Sequence, residues 1–500
     1  MTSKVWKKNY QSQETESPYW SFEQAMDYLA SARELGIRPG LERIEQLLER
    51  LGNPQNACPV VQIAGTNGKG SISTMCAYIA AESGLKTGLF TSPYLTNFNE
   101  RIRIYNGQEG LKKLYQDSRS SEISDQDFAK TMMLLAFEVK IMLLKGFEMP
   151  SEFELLTAAA FVYFAEMDCD LIILETGMGG RLDSTNVVEK PLATVISALS
   201  YDHVVRLGKT ITNIAAEKAG IMKPEIPTFV YNPEDTELSP EDAAAAKKVI
   251  VEHAAKINSP ITFVSRADLD YESSYLTGQT FTYQAKGPYH IQLSGDYQAQ
   301  NAAIAIEVAQ MYAQDEQIKH GISLAKWPGR LECLSQTPFV LVDGAHNKQG
   351  VCGLRKHLEQ FLKGRKLVLL SGILRDKDYP NMVDIICSSD KYEIEQVICT
   401  KPDFPRALSA KKLAKQFNRV LKKYFPKKEY KMNKLSKLES DKNPLYNENQ
   451  ISFTSDQKQA TKLAYELGKK NHLAIIVFGS LYLLGDIRTY LFELLEGTDN

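Results

Sequence analysis

Between the apolar run Val60–Ala64 and a helical stretch over 72–83 stands Gly65-Thr66-Asn67-Gly68-Lys69-Gly70-Ser71. Backbone N–H groups in a Gly-rich turn can surround phosphate oxygens, and the N-terminus of the following helix adds positive potential. Lys69 would supply a mobile cation for the β- and γ-phosphates of a nucleotide. The pattern departs from the usual GxxxxGK[ST] loop, because the first glycine is missing and Gly70 separates the lysine from Ser71. A lysine at a strand-to-helix turn nevertheless points to phosphate binding rather than to an ordinary Gly-rich turn.

Other elements must position that loop. Apolar runs at Leu171–Leu174, Ala193–Ile196, Val340–Val342 and Lys366–Leu370 end at Glu175, near Asp202, at Asp343 and at Gly372. Short apolar runs alternating with longer helical segments predict an α/β protein with mainly parallel sheets covered on both faces. Chemistry in such sheets lies beyond the carboxyl ends of the strands. Ahead of the loop, apolar residues at helical spacing predict two helices within 22–51, separated by Gly36, Pro39 and Gly40. Lys326-Trp327-Pro328-Gly329-Arg330 separates two strand-helix series, so the boundary is placed there, giving domains 1–325 and 326–500. Two polar stretches, 108–126 and the Lys-rich 422–450, are expected to be solvated peripheral loops.

The motifs, taken in order, resemble the folylpolyglutamate and dihydrofolate synthases of the Mur ligase superfamily. The likeness runs through Gly65–Ser71, Gly40-Leu41-Glu42-Arg43-Ile44, Thr91-Ser92-Pro93, Asn99-Glu100-Arg101-Ile102 and Glu175 to Asp183. It continues through Asp202-His203, Glu217-Lys218-Ala219-Gly220-Ile221, Pro328-Gly329-Arg330, Asp343-Gly344-Ala345-His346-Asn347, Pro405-Arg406-Ala407 and Gly479 to Leu483. The resemblance implies an N-terminal P-loop ATPase domain followed by a C-terminal Rossmann-like α/β domain. It also implies an enzyme joining L-glutamate to a folate or dihydropteroate carboxylate. ATP phosphorylates the carboxylate, and the glutamate amine attacks the acyl phosphate.

Phosphoryl transfer of this kind needs Mg²⁺ to neutralise charge. Glu175, ending a buried strand, is a sensible oxygen ligand. The resemblance adds Ser92 and His203 to the metal ligands; taken alone, His203 would be read as structural. It further implies that Lys218, otherwise an ordinary solvated lysine, is carbamylated and acts beside Lys69 in catalysis. Thr66, Asn67, Gly68, Lys69, Gly70, Ser71, Asn301, Arg330 and Asp343 are the expected ATP contacts. His346 is expected to hold the acyl phosphate or orient the terminal phosphate. Lys348 stands where relatives continue with proline, and Tyr94 stands where many carry histidine.

A pterin is a flat heterocycle that wants an aromatic partner and a few fixed polar groups. Phe153, in Ser151-Glu152-Phe153-Glu154, is the stacking candidate, with Leu182, Asp183, Ser184 and Gly40 as further folate contacts. Ser480 is the candidate for the incoming glutamate. The alternatives are dihydrofolate synthesis alone and, far behind, a Mur-type cell-wall ligase.

Bulk properties agree with a soluble enzyme. Hydrophobic residues make up 43% and charged residues 24%, and a net charge of −2 predicts no nucleic-acid or anionic-membrane partner. Seven scattered cysteines fit reduced thiols in a cytoplasm. The polar stretch 1–19 lacks the apolar core of a secretory signal. No stretch approaches the roughly 18 apolar residues of a membrane span. The expectation is a cytoplasmic monomer with small-molecule substrates.

Overall fold

The computed structural model describes residues 20–33, 36, 38–202, 204–435 and 449–497. The chain divides into two compact units. One contains residues up to 270 together with 282–289 and 300–325; the other contains 271–281, 290–299 and everything from 326.

The first unit is organised by a seven-stranded sheet. Its strands are β1 (Val60–Ala64), β2 (Lys86–Phe90), β3 (Ile102–Asn106), β4 (Leu171–Glu175), β5 (Ala193–Ile196), β6 (Thr228–Tyr231) and β7 (Ile261–Val264). They lie in the order β3-β2-β4-β1-β5-β6-β7, parallel except for β3, which runs antiparallel to β2. Strand β1 sits between β4 and β5: the chain passes from β1 to β2 on one side, and only after β4 does it cross β1 to build β5 on the other. That crevice at the carboxyl end is the usual ligand position in an open α/β sheet. Every residue of β1 and of β4 is buried, as sheets covered on both faces require.

Helix Lys69–Glu82 is buried along nearly its whole length. Its apolar residues run all round the helix because protein packs on all sides of it. The helices Phe22–Arg33 and Glu42–Arg50 stand where periodicity predicted them, with Gly36, Pro39 and Gly40 between. They join helices Asp125–Leu144 and Glu152–Glu166 in one core cluster around Phe128, Leu135 and Phe161.

Strands β8 (Leu269–Tyr275), β9 (Gly278–Tyr283) and β10 (Lys286–Ile291) make a small sheet in the order β10-β9-β8. The second unit holds another seven-stranded sheet, from β11 (Glu332–Gln336), β12 (Phe339–Val342), β13 (Lys366–Ser371), β14 (Glu393–Cys399), β15 (Lys431–Lys434), β16 (Gln450–Phe453) and β17 (Ala474–Phe478). Its order is β11-β12-β17-β13-β14-β16-β15, with β11 alone antiparallel. The carboxyl ends of β12, β17 and β13 are therefore neighbours.

Both stretches expected to be solvated loops contain regular structure. Residues Gly107–Leu114 form a helix that buries Leu111, and Ser121 and Ile123 are buried beyond it. Two backbone bonds tie this segment to β3, from Ile104 N–H to Ser121 O and from Ile123 N–H to Ile102 O. A few well-placed apolar side chains thus dock a segment whose average composition is polar. The Lys-rich stretch begins in the last turn of helix Ala410–Tyr424 and supplies β15, while 436–448 lie outside the described residues. All seven cysteines are free thiols. No helix among the described residues is long and apolar enough to cross a membrane.

Candidate active site

The loop after β1 is fastened to the segment after β5. The Thr66 and Asn67 amides donate to Ala198 O at 3.0 and 3.1 Å. The Thr66 hydroxyl donates to Ser200 O at 3.1 Å and accepts from Ser200 N–H at 3.2 Å. These two amides thus face the protein. The amides of Lys69, Gly70 and Ser71 precede the first intrahelical bond, from Ile72 N–H to Gly68 O. First-turn amides of a helix suit an anion.

Gly68 has φ +90°, and a Cβ there would fall 2.6 Å from Asn301 Oδ1. A side chain would meet both left-handed strain and the Asn301 amide. Lys69 Nζ donates to Gly65 O at 3.1 Å and to Thr66 O at 3.2 Å. Lys218 Nζ, buried, donates to the same Gly65 O at 2.7 Å. Burial, and next the charge of Lys69, lower the Lys218 ammonium to about 7, against the opposing pull of Asp202, Asp183 and Glu217. Two lysines thus converge on one carbonyl of the loop.

At the end of the neighbouring β4, the buried Glu175 carboxylate accepts Ser92 N–H at 3.2 Å. Arg101 Nη1 donates to Ser92 Oγ at 3.4 Å. His203 lies outside the described residues. Among the described residues no three His, Cys, Asp or Glu side chains converge as metal ligands. Glu175 nevertheless offers hard carboxylate oxygens, and Ser92, joined to it through its amide, carries a hydroxyl. Such donors suit Mg²⁺, which keeps much of its shell for water and phosphate.

Beyond Glu175 the chain turns under Phe153. A Cβ on Gly177 would run into the Phe153 ring, which also packs 5.9 Å from the Phe90 ring. Phe153 is half-buried, with part of its surface in the core. Its helix begins at a capping box in which Ser151 and Glu154 bond reciprocally. Glu154 also receives Arg43 at 3.0 Å, and Arg43 donates to Arg38 O at 2.7 Å, which ties the Gly40 segment to the start of the Phe153 helix.

Asp183 performs a structural task. Its oxygens accept Met178 N–H at 2.7 Å, Thr185 N–H at 3.1 Å and the Thr185 hydroxyl at 2.7 Å. Burial raises its carboxyl pKa, and these hydrogen bonds pull it back down. The Ser184 hydroxyl meets Thr157 Oγ1 at 3.2 Å inside the protein. Leu182 is half-buried beside them.

In the second unit Asp343 follows β12 and is buried. It accepts Leu331 N–H at 2.8 Å and Ala345 N–H at 2.9 Å. Burial pushes its carboxyl up to about 6, although Arg330 and the two amides favour the charged form. His346 Nδ1 lies 2.8 Å from Gly344 O. Asn347 caps helix Lys348–Phe361 by accepting Gly350 N–H at 2.9 Å. Lys348 opens that helix, at a position where proline would be equally at home. Ser480 is buried at the start of helix Leu481–Glu496, next to the end of β17. The Asp343 N–H donates to Val477 O, which makes the Asp343 and Ser480 segments neighbours.

Comparison with known proteins agrees with this architecture. Residues 121–309 match the Mur ligase middle domain, and 329–481 match the Mur ligase glutamate ligase domain. The dihydrofolate synthase/folylpolyglutamate synthase of Bacillus subtilis (strain 168) is 32% identical over 485 residues, covering 94% of this chain and 99% of that protein. The folylpolyglutamate synthase of Lacticaseibacillus casei is 34% identical over 403 residues, covering 78% of this chain and 87% of that one. This chain belongs to the folylpolyglutamate/dihydrofolate synthase family. A solved folylpolyglutamate synthase of Mycobacterium tuberculosis, complexed with ADP and AMPPCP, superposes with a TM-score of 0.75 at 26% identity, covering 93% of this chain and 98% of that one. Like the rest of the folylpolyglutamate/dihydrofolate synthase family, the chain is an ATP-dependent ligase.

Several residues that shape the site carried no role in the sequence. Glu100 accepts the amides of Leu95, Thr96 and Asn97 at 2.9, 3.0 and 2.9 Å, which closes the loop after Ser92. The spacing Asn97-x-x-Glu100 is that of a capping box and could have been read as one. Ser197 gives no such signal. Its hydroxyl fills the space a Cβ on Gly65 would need, and only the pairing of β1 with β5 brings the two together.

Proposed function

We propose that this chain uses ATP to join L-glutamate to a folate-type carboxylate, adding glutamate to tetrahydrofolate polyglutamates, to dihydropteroate, or to both. The observation that carries the proposal is the convergence of Lys69 and Lys218 on the Gly65 carbonyl, one strand away from Glu175 and Ser92. The sequence likeness to folylpolyglutamate and dihydrofolate synthases supports the choice of acceptor.

In this scheme Lys69 leaves its loop carbonyls for the β- and γ-phosphates, while the amides of Lys69, Gly70 and Ser71 hold phosphate oxygens. Thr66, Asn67 and Gly68 shape that loop, and Asn301, packed against Gly68, contacts the nucleotide. Glu175 and Ser92, with His203, would hold Mg²⁺, which when bound neutralises phosphate charge during transfer. The acceptor carboxylate takes the γ-phosphoryl group and ADP leaves. The glutamate amine then attacks the acyl carbon, and phosphate departs as the amide forms.

Lys218 with a pKa of about 7 is neutral in a large fraction of molecules near neutral pH. A neutral buried amine can add CO₂, which supports the carbamylated form as an oxygen ligand beside the phosphates. To Arg330 and Asp343 we assign contacts with the nucleotide, to His346 the terminal phosphate, and to Ser480 the incoming glutamate. Phe153, with Leu182 and the Gly40 segment, takes the pterin. Asp183 and Ser184 support that pocket through the bonds they make to the loop and to Thr157. Residues 1–325 act as the ATP-binding domain and 326–500 as the ligase domain of a cytoplasmic monomer.

The test is phosphate release with ATP, Mg²⁺ and L-glutamate, offering dihydropteroate and tetrahydrofolate separately, with mass spectrometry of the products. Release that requires both an acceptor and glutamate is expected. Turnover on dihydropteroate alone would restrict the enzyme to dihydrofolate synthesis. ATP binding with no glutamate-dependent release would remove the proposal.

A further inference from the structure

The loop from Ser92 to Arg101 is closed on itself. Thr91 N–H donates to Arg101 O at 3.0 Å, and the Glu100 carboxylate gathers three amides from the loop's interior. Inside this closure the Arg101 guanidinium lies 5.1 Å from the centre of the Tyr94 ring and 5.7 Å from that of Phe98. Tyr94 meets Phe98 edge-on at 5.8 Å, and Phe98 meets Phe128 at 5.1 Å. Phe128 is part of the core of helix Asp125–Leu144. A line of aromatic contacts therefore runs from the core to Arg101, whose guanidinium Nη1 reaches Ser92 Oγ at 3.4 Å. Through Ser92 N–H that position adjoins Glu175.

We infer that Tyr94 is a positioning residue that holds Arg101 against the reacting carboxylate of the acceptor. This rests on the ligase function proposed above and deepens it. A guanidinium beside the end of β4 is a fixed planar cation suited to a carboxylate and to the acyl phosphate made from it. Such a side chain loses considerable rotamer freedom when it is held in one place. Stacking on Tyr94 and Phe98 confers that order before the acceptor arrives, and cation–π attraction supplies the favourable energy. The hydroxyl of Tyr94 has no part in this; the ring face does. A histidine at the same place would offer a neutral face at high pH and a repelling cation once protonated.

The experiment compares wild type with Tyr94→Phe, Tyr94→Leu, Tyr94→His and Arg101→Met. It reads the steady-state KM for acceptor, the calorimetric Kd for tetrahydrofolate and for dihydropteroate, and the Kd for a fluorescent ATP analogue. Tyr94→Phe should keep acceptor affinity within about twofold, and Tyr94→Leu should weaken it about three- to tenfold. Arg101→Met should weaken it about 10- to 100-fold, with ATP affinity unchanged in each variant. Tyr94→His should resemble Tyr94→Phe at pH 8 and Tyr94→Leu at pH 5.5. Unaltered acceptor affinity in Tyr94→Leu, equal losses in the Phe and Leu variants, or a parallel loss of ATP affinity would overturn the inference. Calorimetry needs no turnover, so a wild type that binds acceptor without releasing phosphate sinks the ligase proposal alone. A wild type that binds no acceptor sinks both.

Discussion

The loops after β1 and after β12 both begin at the end of a buried parallel strand and lead into a helix, yet they treat charge in opposite ways. In the first, Lys69 and Lys218 donate to the loop's own carbonyls. In the second, Asp343 accepts the amides of Leu331 and Ala345. A half-buried lysine on carbonyls can exchange them for phosphate oxygens, which are charged and bind it more strongly. A carboxylate that satisfies two buried amides cannot leave without stranding both. On the function proposed above, Lys69 is a ligand in waiting, and Asp343 is a nucleotide contact already fixed in place by the two amides it accepts.

Three measurements can break that contrast or sharpen it. The largest effect is expected for Lys69→Met, which should cut kcat by about 10²- to 10³-fold by removing one donor from the developing phosphoryl charge. Its thermal and urea midpoints should stay at the wild-type values. A drop in stability would mean that Lys69 is framework as well.

Asp343→Ala should behave in the reverse order. Two buried amides lose their acceptor at about 1–3 kcal/mol each, so the urea midpoint of the second unit should fall. Asp343→Asn retains one acceptor oxygen and should recover part of the loss. An Asp343→Ala protein that unfolds at the wild-type urea concentration would end the distinction between the two loops.

The smallest effect concerns pH and belongs to the first loop. Lys218 has a folded pKa lowered to about 7, so it is charged below that value and neutral above it. If carbamylation needs the neutral amine, turnover should rise roughly tenfold between pH 6 and pH 8 and rise further with added bicarbonate. Lys218→Arg, which stays charged, should show low activity without either dependence. A wild-type rate that is flat in both pH and bicarbonate would leave Lys218 as a plain donor to Gly65 O, equivalent in kind to the frame around Asp343.

Much of this was legible in the chain itself. Helix and strand positions followed from periods of 3.6 and from short apolar runs, because burial on two faces forces those patterns. Gly68-Lys69 stands at the strand-to-helix turn that the sequence pattern predicted for it. The segment 107–123 was not legible, since Leu111 and Ile123 are too few to dominate a polar composition, yet they suffice to dock it. Asp183 illustrates a different limit. The resemblance made it an expected folate contact, and the folded loop shows its oxygens engaged by Met178 and Thr185.

Sequence alone thus determined the α/β class and the strand-loop-helix that carries Lys69, because these depend on local pattern. Glu175 stood out by its chemistry at a strand end, and Lys218 only through the family resemblance. Tertiary structure decided what those side chains face. Lys218 is far from Gly65 along the chain, and only the pairing of β1 between β4 and β5 brings its ammonium to that carbonyl. The same holds for Ser92 beside Glu175, and for the aromatic contacts behind Arg101. A hydrogen bond reaches only about 3 Å, and which distant residues come that close is set by packing, on which no local pattern reports.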